Sequence, residues 1–441
     1  MNETVNTLIG IRREDKNEWE KRVPLIPTHV RELIQSHSLE IWIQPSSLRI
    51  FPDSDYIREG ARVEENLSPC SIIFAVKEIP LKFFEKEKVY IFFSHTTKGQ
   101  PYNMPMLKRM IDLNCTLIDY EKILDEKGQR LLFFGKQAGQ AGMIDTLWAL
   151  GKRLVRQGKE NPFSLIKQAY LYKSLVEAKE EIEKVGWQIY KSGLDSALVP
   201  LVCGFAGYGH VSQGAQEIFN LLRFEEILPE RIVDFVEKKK YSADKVYKVV
   251  FKEKHMVEPV SSDQKFELQD YYDNPKKYKP VFESYLPFLT ILVNCIYWSP
   301  QYPRFVTKKI LKNLWEAPSY PSLKVIGDIS CDVEGSVECT VRSTTPGNPV
   351  YVYDPIEEKA FDGFEGRGVV VMAIDNLPAE ISLESSIFFS NALKPLVPAI
   401  AKADFLGEFA DCSLPGPIKK AVILYRGEFT PDYQYMKNFI K

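Results

Sequence analysis

The sequence predicts an α/β protein made of two Rossmann-like domains, each built on a parallel sheet, with a cleft between them. Three observations lead there. Short apolar runs alternate with helical spacings through the first third of the chain. A later apolar run leads into a glycine-rich turn and then a helix. The 441 residues exceed what one hydrophobic core fills, so two domains are the expectation.

Leu8–Ile11, Glu40–Ile43, Ser71–Val76, Val89–Phe93 and Cys115–Ile118 read as strands: short, rich in Val, Ile and Phe, and bounded by polar residues. Pro27–Ser36 and Met104–Leu113 carry helical spacing between them, which makes the sheet parallel with crossovers. Ala, Leu, Lys and Glu dominate residues 136–193, and Leu165–Lys191 is expected to be mostly helix. Ala197–Cys203 is an apolar strand that runs into the glycine turn, with a helix through Leu222. Thr290–Val293, Lys324–Ile329 and Val350–Tyr353 extend a second parallel sheet. Residues 235–288, with Lys238, Lys239 and Lys240 and the Tyr-, Pro- and Asp-rich stretch Asp270–Pro280, read as a surface insertion. Pro378–Leu406 is helical and is expected to return to the first domain. The division that follows is a catalytic domain of residues 1–140 plus 379–441 and a dinucleotide-binding domain of 141–378.

Composition argues against several classes. With 45% hydrophobic and 26% charged residues the chain is ordinary for a globular protein. A net charge of -2 offers no basic field to a nucleic acid. No apolar run is long enough for a bilayer, and the start MNETVNTLIG lacks the features of a signal peptide. The seven cysteines are dispersed without a CxxC pair, which suggests reduced thiols and a cytoplasmic location. None of the five histidines stands at ligand spacing to a cysteine, so no metal site is expected.

The strongest chemical signal is Gly207-x-Gly209-x-x-Ser212 after the strand and before a helix. The first glycine permits the tight turn, the second lets backbone approach a pyrophosphate, and the helix start offers N–H groups to that anion. A ligand-free glycine turn is the plainer alternative. Glu230 near the end of the expected second strand suits ribose hydroxyls, while neighbouring Arg231 suits a 2′-phosphate, so NAD and NADP stay unseparated. Lys77 and His95 each lie just beyond an apolar strand, where a desolvated lysine and a histidine can manage protons. A surface lysine and a loop histidine are the plainer readings. Arg22 and Arg130 are candidates for bidentate carboxylate binding, although the charge run Arg13–Arg22 also reads as a solvated face. Asp328 and Asp375 end apolar runs, as loop caps or as the lining beside a nicotinamide.

Taken in order, Arg13…Glu20-x-Arg22-x-x-Leu-x-Pro27, Val76-Lys77, Phe93-Ser-His95, Gly128-x-Arg130…Phe134-Gly135 and Gly207-x-Gly209-x-Val-Ser-x-Gly-Ala215 resemble one family. Asn294–Trp298, Asp328-Ile-Ser330 and Ile374–Pro378 complete the likeness. The chain is similar, from about residue 8 to 440, to lysine–ketoglutarate reductase, the N-terminal half of the aminoadipic semialdehyde synthase of animals and plants. It is more distantly similar to fungal lysine-forming saccharopine dehydrogenase and to alanine dehydrogenase. The resemblance implies L-lysine, 2-oxoglutarate and saccharopine as substrates and Lys77 and His95 as the acid–base pair. It places Arg22, Glu78, Gln100, Glu121, Arg130 and Phe134 around the substrate. It places Gly209, His210, Val211, Tyr297, Ile329, Ile374, Asp375, Asn376 and Leu377 near the dinucleotide. NADP is favoured over NAD, since the chain is closer to the animal half and Leu228-Pro229-Glu230 stands where fungal enzymes carry an Asp. A homo-oligomer and a separate glutamate-forming saccharopine dehydrogenase as partner stay open. So do two other functions: reductive amination of another 2-oxo acid, of the alanine dehydrogenase or opine type, and a catalytically silent cofactor-binding homologue.

Overall fold

A computed structural model describes residues 8–440, apart from 320. The chain forms two compact units, one running through 134 and resuming at 382, the other spanning Gly135–Ile381.

The first unit carries an eight-stranded sheet. Its parallel part comprises β1 (Leu8–Ile11), β2 (Glu40–Ile43), β3 (Arg62–Val63), β4 (Ile72–Phe74), β5 (Val89–Phe92) and β6 (Thr116–Asp119), in the order β3-β2-β1-β4-β5-β6. Near the C-terminus β17 (Val422–Tyr425) adds antiparallel to β6, and β18 (Glu428–Phe429) antiparallel to β17. The sheet is therefore mixed rather than purely parallel. β1, β4, β5 and β6 are buried at every position, as strands covered on both faces are. The helix Pro27–His37 begins on a proline, which has no N–H to waste there, and buries Pro27, Val30 and Leu33 at helical spacing. Ser386 and Ser390 of the helix Ser382–Leu393 accept the Val23 and Ile26 N–H groups at 3.1 and 3.0 Å, which fastens that helix to this unit.

The second unit contains β7 (Val202–Ala206), β8 (Phe224–Glu226), β9 (Val246–Phe251), β12 (Ile291–Asn294), β13 (Val325–Asp328), β14 (Val350–Asp354), β15 (Lys359–Asp362) and β16 (Val369–Met372). Their order is β15-β14-β16-β13-β12-β7-β9-β8. Four expectations change here. The strand beside the glycine turn starts at Val202, not 197, because Pro200 has no N–H to give the ladder and Ser196–Leu198 forms a short turn of helix. The helix expected over Leu165–Lys191 runs from Leu175 to Ser192, started by the Ser174 side chain accepting the Glu177 N–H and ended at Gly193. β14, expected parallel, pairs antiparallel with β16. Val246–Phe251, expected in a surface insertion, is the buried strand next to β7. Only the part beyond it forms a separate ribbon, β10 (Val257–Pro259) against β11 (Tyr278–Pro280). Among the described residues no helix is long and apolar enough to cross a membrane.

A buried acid pair sits inside this unit. Asp145, in the helix Gly135–Arg156, accepts the Ala169 N–H at 2.7 Å, and Glu380 accepts the Tyr170 N–H at 3.3 Å. Asp145 Oδ2 and Glu380 Oε1 are buried with no hydrogen-bond partner among the described residues, and the Asp145 charge disfavours a second one on Glu380, which favours a proton held by the pair. Burial pushes Asp145 up to about 6 and Glu380 well above the usual carboxylate range. A folded state that holds this proton more tightly than the unfolded chain is favoured at low pH. Its advantage shrinks as pH rises from the unfolded value of about 4 through the folded values. Glu380→Gln supplies an N–H in place of the shared proton. It is expected to remove this part of the pH dependence and to raise the melting temperature relative to wild type at pH 8 but not at pH 4. Melting curves at both values check the sign.

Candidate active site

In the first unit the strand order reverses between β1 and β4, and in open α/β sheets ligands meet the carboxyl ends of strands at that switch. The segments leaving β1, β4 and the adjacent β5 carry the candidates. Lys77 and Glu78 follow β4, and His95 follows β5. Glu78 Oε1 meets His95 Nδ1 at 2.6 Å, and Glu78 Oε2 accepts from Lys16 Nζ at 3.0 Å. Burial pushes the Glu78 carboxyl up. The His95 hydrogen bond and the charges of His95, Lys16 and Lys77 outweigh it and hold Glu78 well below the usual carboxylate range. Burial, then Arg22 and Lys16, lowers Lys77 from the ordinary lysine value. Such a lysine gives up its proton closer to neutrality than a free one.

The charge run after β1 is only in part a solvated face: Asp15, Lys16 and Glu18 are exposed, whereas Glu14, Glu20 and Arg22 are buried. Glu14 is buried and accepts the Val76 and Lys77 N–H groups at 2.7 and 3.0 Å, which ties the backbone of Lys77 to β1. Burial, then Glu20, pushes Glu14 up to about 7. Arg22 is 2% exposed and is gripped by Glu20 through Nε at 2.8 Å and Nη2 at 2.6 Å, its guanidinium carbon 4.4 Å from the centre of the Phe134 ring. The arginine expected for a substrate carboxylate thus already has an internal one. Arg130, more exposed, pairs with Glu121 at 2.5 Å. Gln100 accepts the Lys98 N–H at 3.1 Å and opens the turn Pro101–Asn103. Glu14 and Lys16 were not singled out from the sequence, and Glu20 was quoted in the motif with Arg22 but given no role. The signal was present: acidic residues in the segment leaving the first strand of an α/β sheet.

In the second unit the order reverses at β7, flanked by β9 and β12, and the glycine turn leaves β7 there. Gly207 has φ of 97°, a conformation that favours glycine, and its N–H bonds to Phe251 O at 3.0 Å. A Cβ on Gly209 would meet nothing within 4 Å, and Gly209 caps the ten-residue helix His210–Phe219. The open backbone and the first N–H groups of that helix fit a pyrophosphate. His210 is exposed and Val211 partly so. Ser212 is fully buried, and its Oγ accepts from Gln216 Nε2 at 2.9 Å, one turn further along the same helix.

Several residues expected near the cofactor stand in surroundings that the sequence did not suggest. Glu230 follows β8, which is the edge strand; the strand beside β7 is β9, and the residues after it are Lys252 and Glu253. Glu230 instead bonds His255 Nε2 at 3.1 Å and Lys254 Nζ at 3.2 Å. Ile329, Ile374 and Leu377 have their side chains in the hydrophobic core, which leaves exposed Asp375 and half-buried Asn376 as the polar part of that segment. Tyr297 is 75% exposed. Asp328 is buried, accepts Asn294 Nδ2 at 2.8 Å and the Thr340 hydroxyl, and caps its own loop.

Residues 10–141 match the family described as alanine dehydrogenase/PNT, N-terminal domain. The chain is 37% identical to the alpha-aminoadipic semialdehyde synthase of Arabidopsis thaliana, over 99% of this chain and 42% of that protein. It is 27% identical to the saccharopine dehydrogenase (NAD(+), L-lysine-forming) of Emericella nidulans, over 88% of this chain and 90% of that one. The chain thus spans less than half the length of the synthase. Among solved structures, an L-alanine dehydrogenase superposes with a TM-score of 0.62 at 16% identity, covering 98% of this chain and all of that one, a likeness of fold.

Proposed function

We propose that this chain, whose residues 10–141 match the alanine dehydrogenase/PNT N-terminal domain and which is similar over most of its length to aminoadipic semialdehyde synthase and to fungal lysine-forming saccharopine dehydrogenase, is itself a lysine–2-oxoglutarate reductase. It condenses the ε-amine of L-lysine with the keto carbon of 2-oxoglutarate and reduces the imine to saccharopine, or runs the reverse. The observation that carries this is the meeting of Lys77, Glu78 and His95 at the switch point of one sheet.

A bound nicotinamide supplies or accepts the hydride. Lys77, lowered by burial, and His95, oriented by Glu78, move protons at the carbinolamine oxygen and the lysine nitrogen. Arg130, exposed beside Glu121, orients a substrate carboxylate; Arg22, locked to Glu20, shapes the wall with Phe134. Gly207, Gly209 and the N–H groups of His210 and Val211 would hold the pyrophosphate, and Asp375 and Asn376 would offer polar groups to the nicotinamide. The proposed location is cytoplasmic.

We read the cofactor as NADP. The residue after the strand beside β7 is Lys252, exposed, with Nζ 5.6 Å from the Tyr208 ring centre. The acid next to it, Glu253, is engaged by the Tyr272 hydroxyl at 2.8 Å. Lys252→Ala is expected to weaken NADPH binding roughly 10–100-fold, the scale of a charge-assisted hydrogen bond, and NADH binding little. Fluorescence titration with both cofactors checks the ratio.

The test of the function is the loss of reduced nicotinamide absorbance with lysine alone, 2-oxoglutarate alone, and both. Turnover only with both is the expected result. Turnover with ammonia in place of lysine overturns it in favour of simple reductive amination, and cofactor binding without turnover under any pairing points to a silent homologue.

A further inference from the structure

His95 holds a backbone conformation that a histidine does not choose by itself. Its φ is 48°, in the left-handed region that costs an L-residue free energy unless its surroundings impose it. Those surroundings are unusually specific. Asn103, 6% exposed at the end of the turn Pro101–Asn103, donates from Nδ2 to Ser94 O at 3.0 Å and to His95 O at 3.2 Å. Asp119, fully buried at the end of β6, accepts the Ser94 N–H at 3.2 Å and the Ser94 hydroxyl. Ser94 is thus held at both ends, its N–H by Asp119 and its carbonyl by Asn103, and one side-chain amide holds the two carbonyls on either side of the His95 Cα.

The ring is oriented as a consequence. It lies nearly parallel to Phe93, 16° between planes, and its Nδ1 reaches Glu78. Glu78 itself is held by Lys16. A residue returned to ordinary extended or helical backbone would point its side chain elsewhere and lose Glu78. We propose that Asn103 is a positioning residue for the acid–base chemistry: its amide clamps the 94–95 carbonyls so that His95 stays left-handed and its ring stays on Glu78. This rests on the function proposed above, but its first readout does not.

The test uses the full chain with nitrogen-15 histidine, whose five histidines give few ring signals; His95→Gln assigns the one in question. Asn103→Asp keeps the shape but turns the donor into an acceptor facing two carbonyls. In that variant the His95 ring nitrogens are expected to leave their Glu78-bound pattern, with kcat down ~10–100-fold, as misplacement of a reacting group produces, and cofactor KM unchanged. Asn103→Ser, which keeps one donor, is expected to lie between and serves if the Asp variant does not fold. Ring signals unchanged from wild type, or an unchanged kcat, overturn the proposal. If His95→Gln itself retains turnover, the proposed function of His95 fails, and the ring shift still reports whether Asn103 positions it.

Discussion

Lys77→Met and His95→Gln are each expected to cut turnover ~10²–10⁴-fold, the usual contribution of a placed acid or base, while dinucleotide affinity stays at the wild-type value. The separation is expected because Lys77 and His95 lie in the first unit and the glycine turn in the second. The two losses are not expected to multiply, because groups serving one proton sequence fail together. Lys77 has a second signature. Burial, Arg22 and Lys16 all disfavour its ammonium form, so the limb of the pH–rate profile that it governs lies below the ordinary lysine value of about 10.4. That limb is expected to vanish in Lys77→Met. Steady-state kinetics across pH for wild type and both variants check this, and a Lys77→Met enzyme of full activity would remove the lysine from the reaction altogether.

Gly214→Ala is expected to produce a large loss of stability from adding one methyl group. The helices Gly135–Arg156 and His210–Phe219 cross with backbone against backbone. A Cβ on Gly214 would stand 2.0 Å from Lys136 O, and one on Gly139 would stand 1.9 Å from Val211 O. Neither obstacle is a side chain that can rotate away, so the helices must separate. Overpacking costs about 1–3 kcal/mol and more where backbone must move. At about 2–4 °C per kcal/mol for a unit of this size, the melting temperature falls by several degrees. The displaced helix also carries the glycine turn, so affinity for an adenine dinucleotide is expected to fall with stability. Calorimetry with and without NADPH measures both. An unchanged melting temperature would mean that the crossing is looser than these distances.

The local features were legible because local residues encode them. Leu8–Ile11 and Glu40–Ile43 form strands as read, since a short β-branched run bounded by polar residues has few alternatives. The glycine turn was legible for a similar reason: Gly207 needs a positive φ and Gly209 an open backbone, and both demands appear as glycine. The tight crossing of two helices left the same mark in Gly139 and Gly214, but a glycine within a helical run names no partner. Lys77 and His95 were readable as strand-end residues, whereas the buried roles of Glu14 and Glu20 were hidden in a run whose charges suggested solvent.

By itself the sequence determined the α/β class, the strand–turn–helix that suits a pyrophosphate, and the candidates Lys77 and His95, because periodicity, turn chemistry and residue type act over a few neighbours. Tertiary structure alone decided that Val246–Phe251 lies next to β7 with β8 outside it, so that Lys252 rather than Glu230 follows the strand beside the glycine turn. It alone decided that Glu20 occupies Arg22, that Asp145 meets Glu380, and that Asn103 brackets His95. Strand order and buried polar pairing depend on which distant segments share a surface and lose their water together, and no stretch of a few residues carries that information.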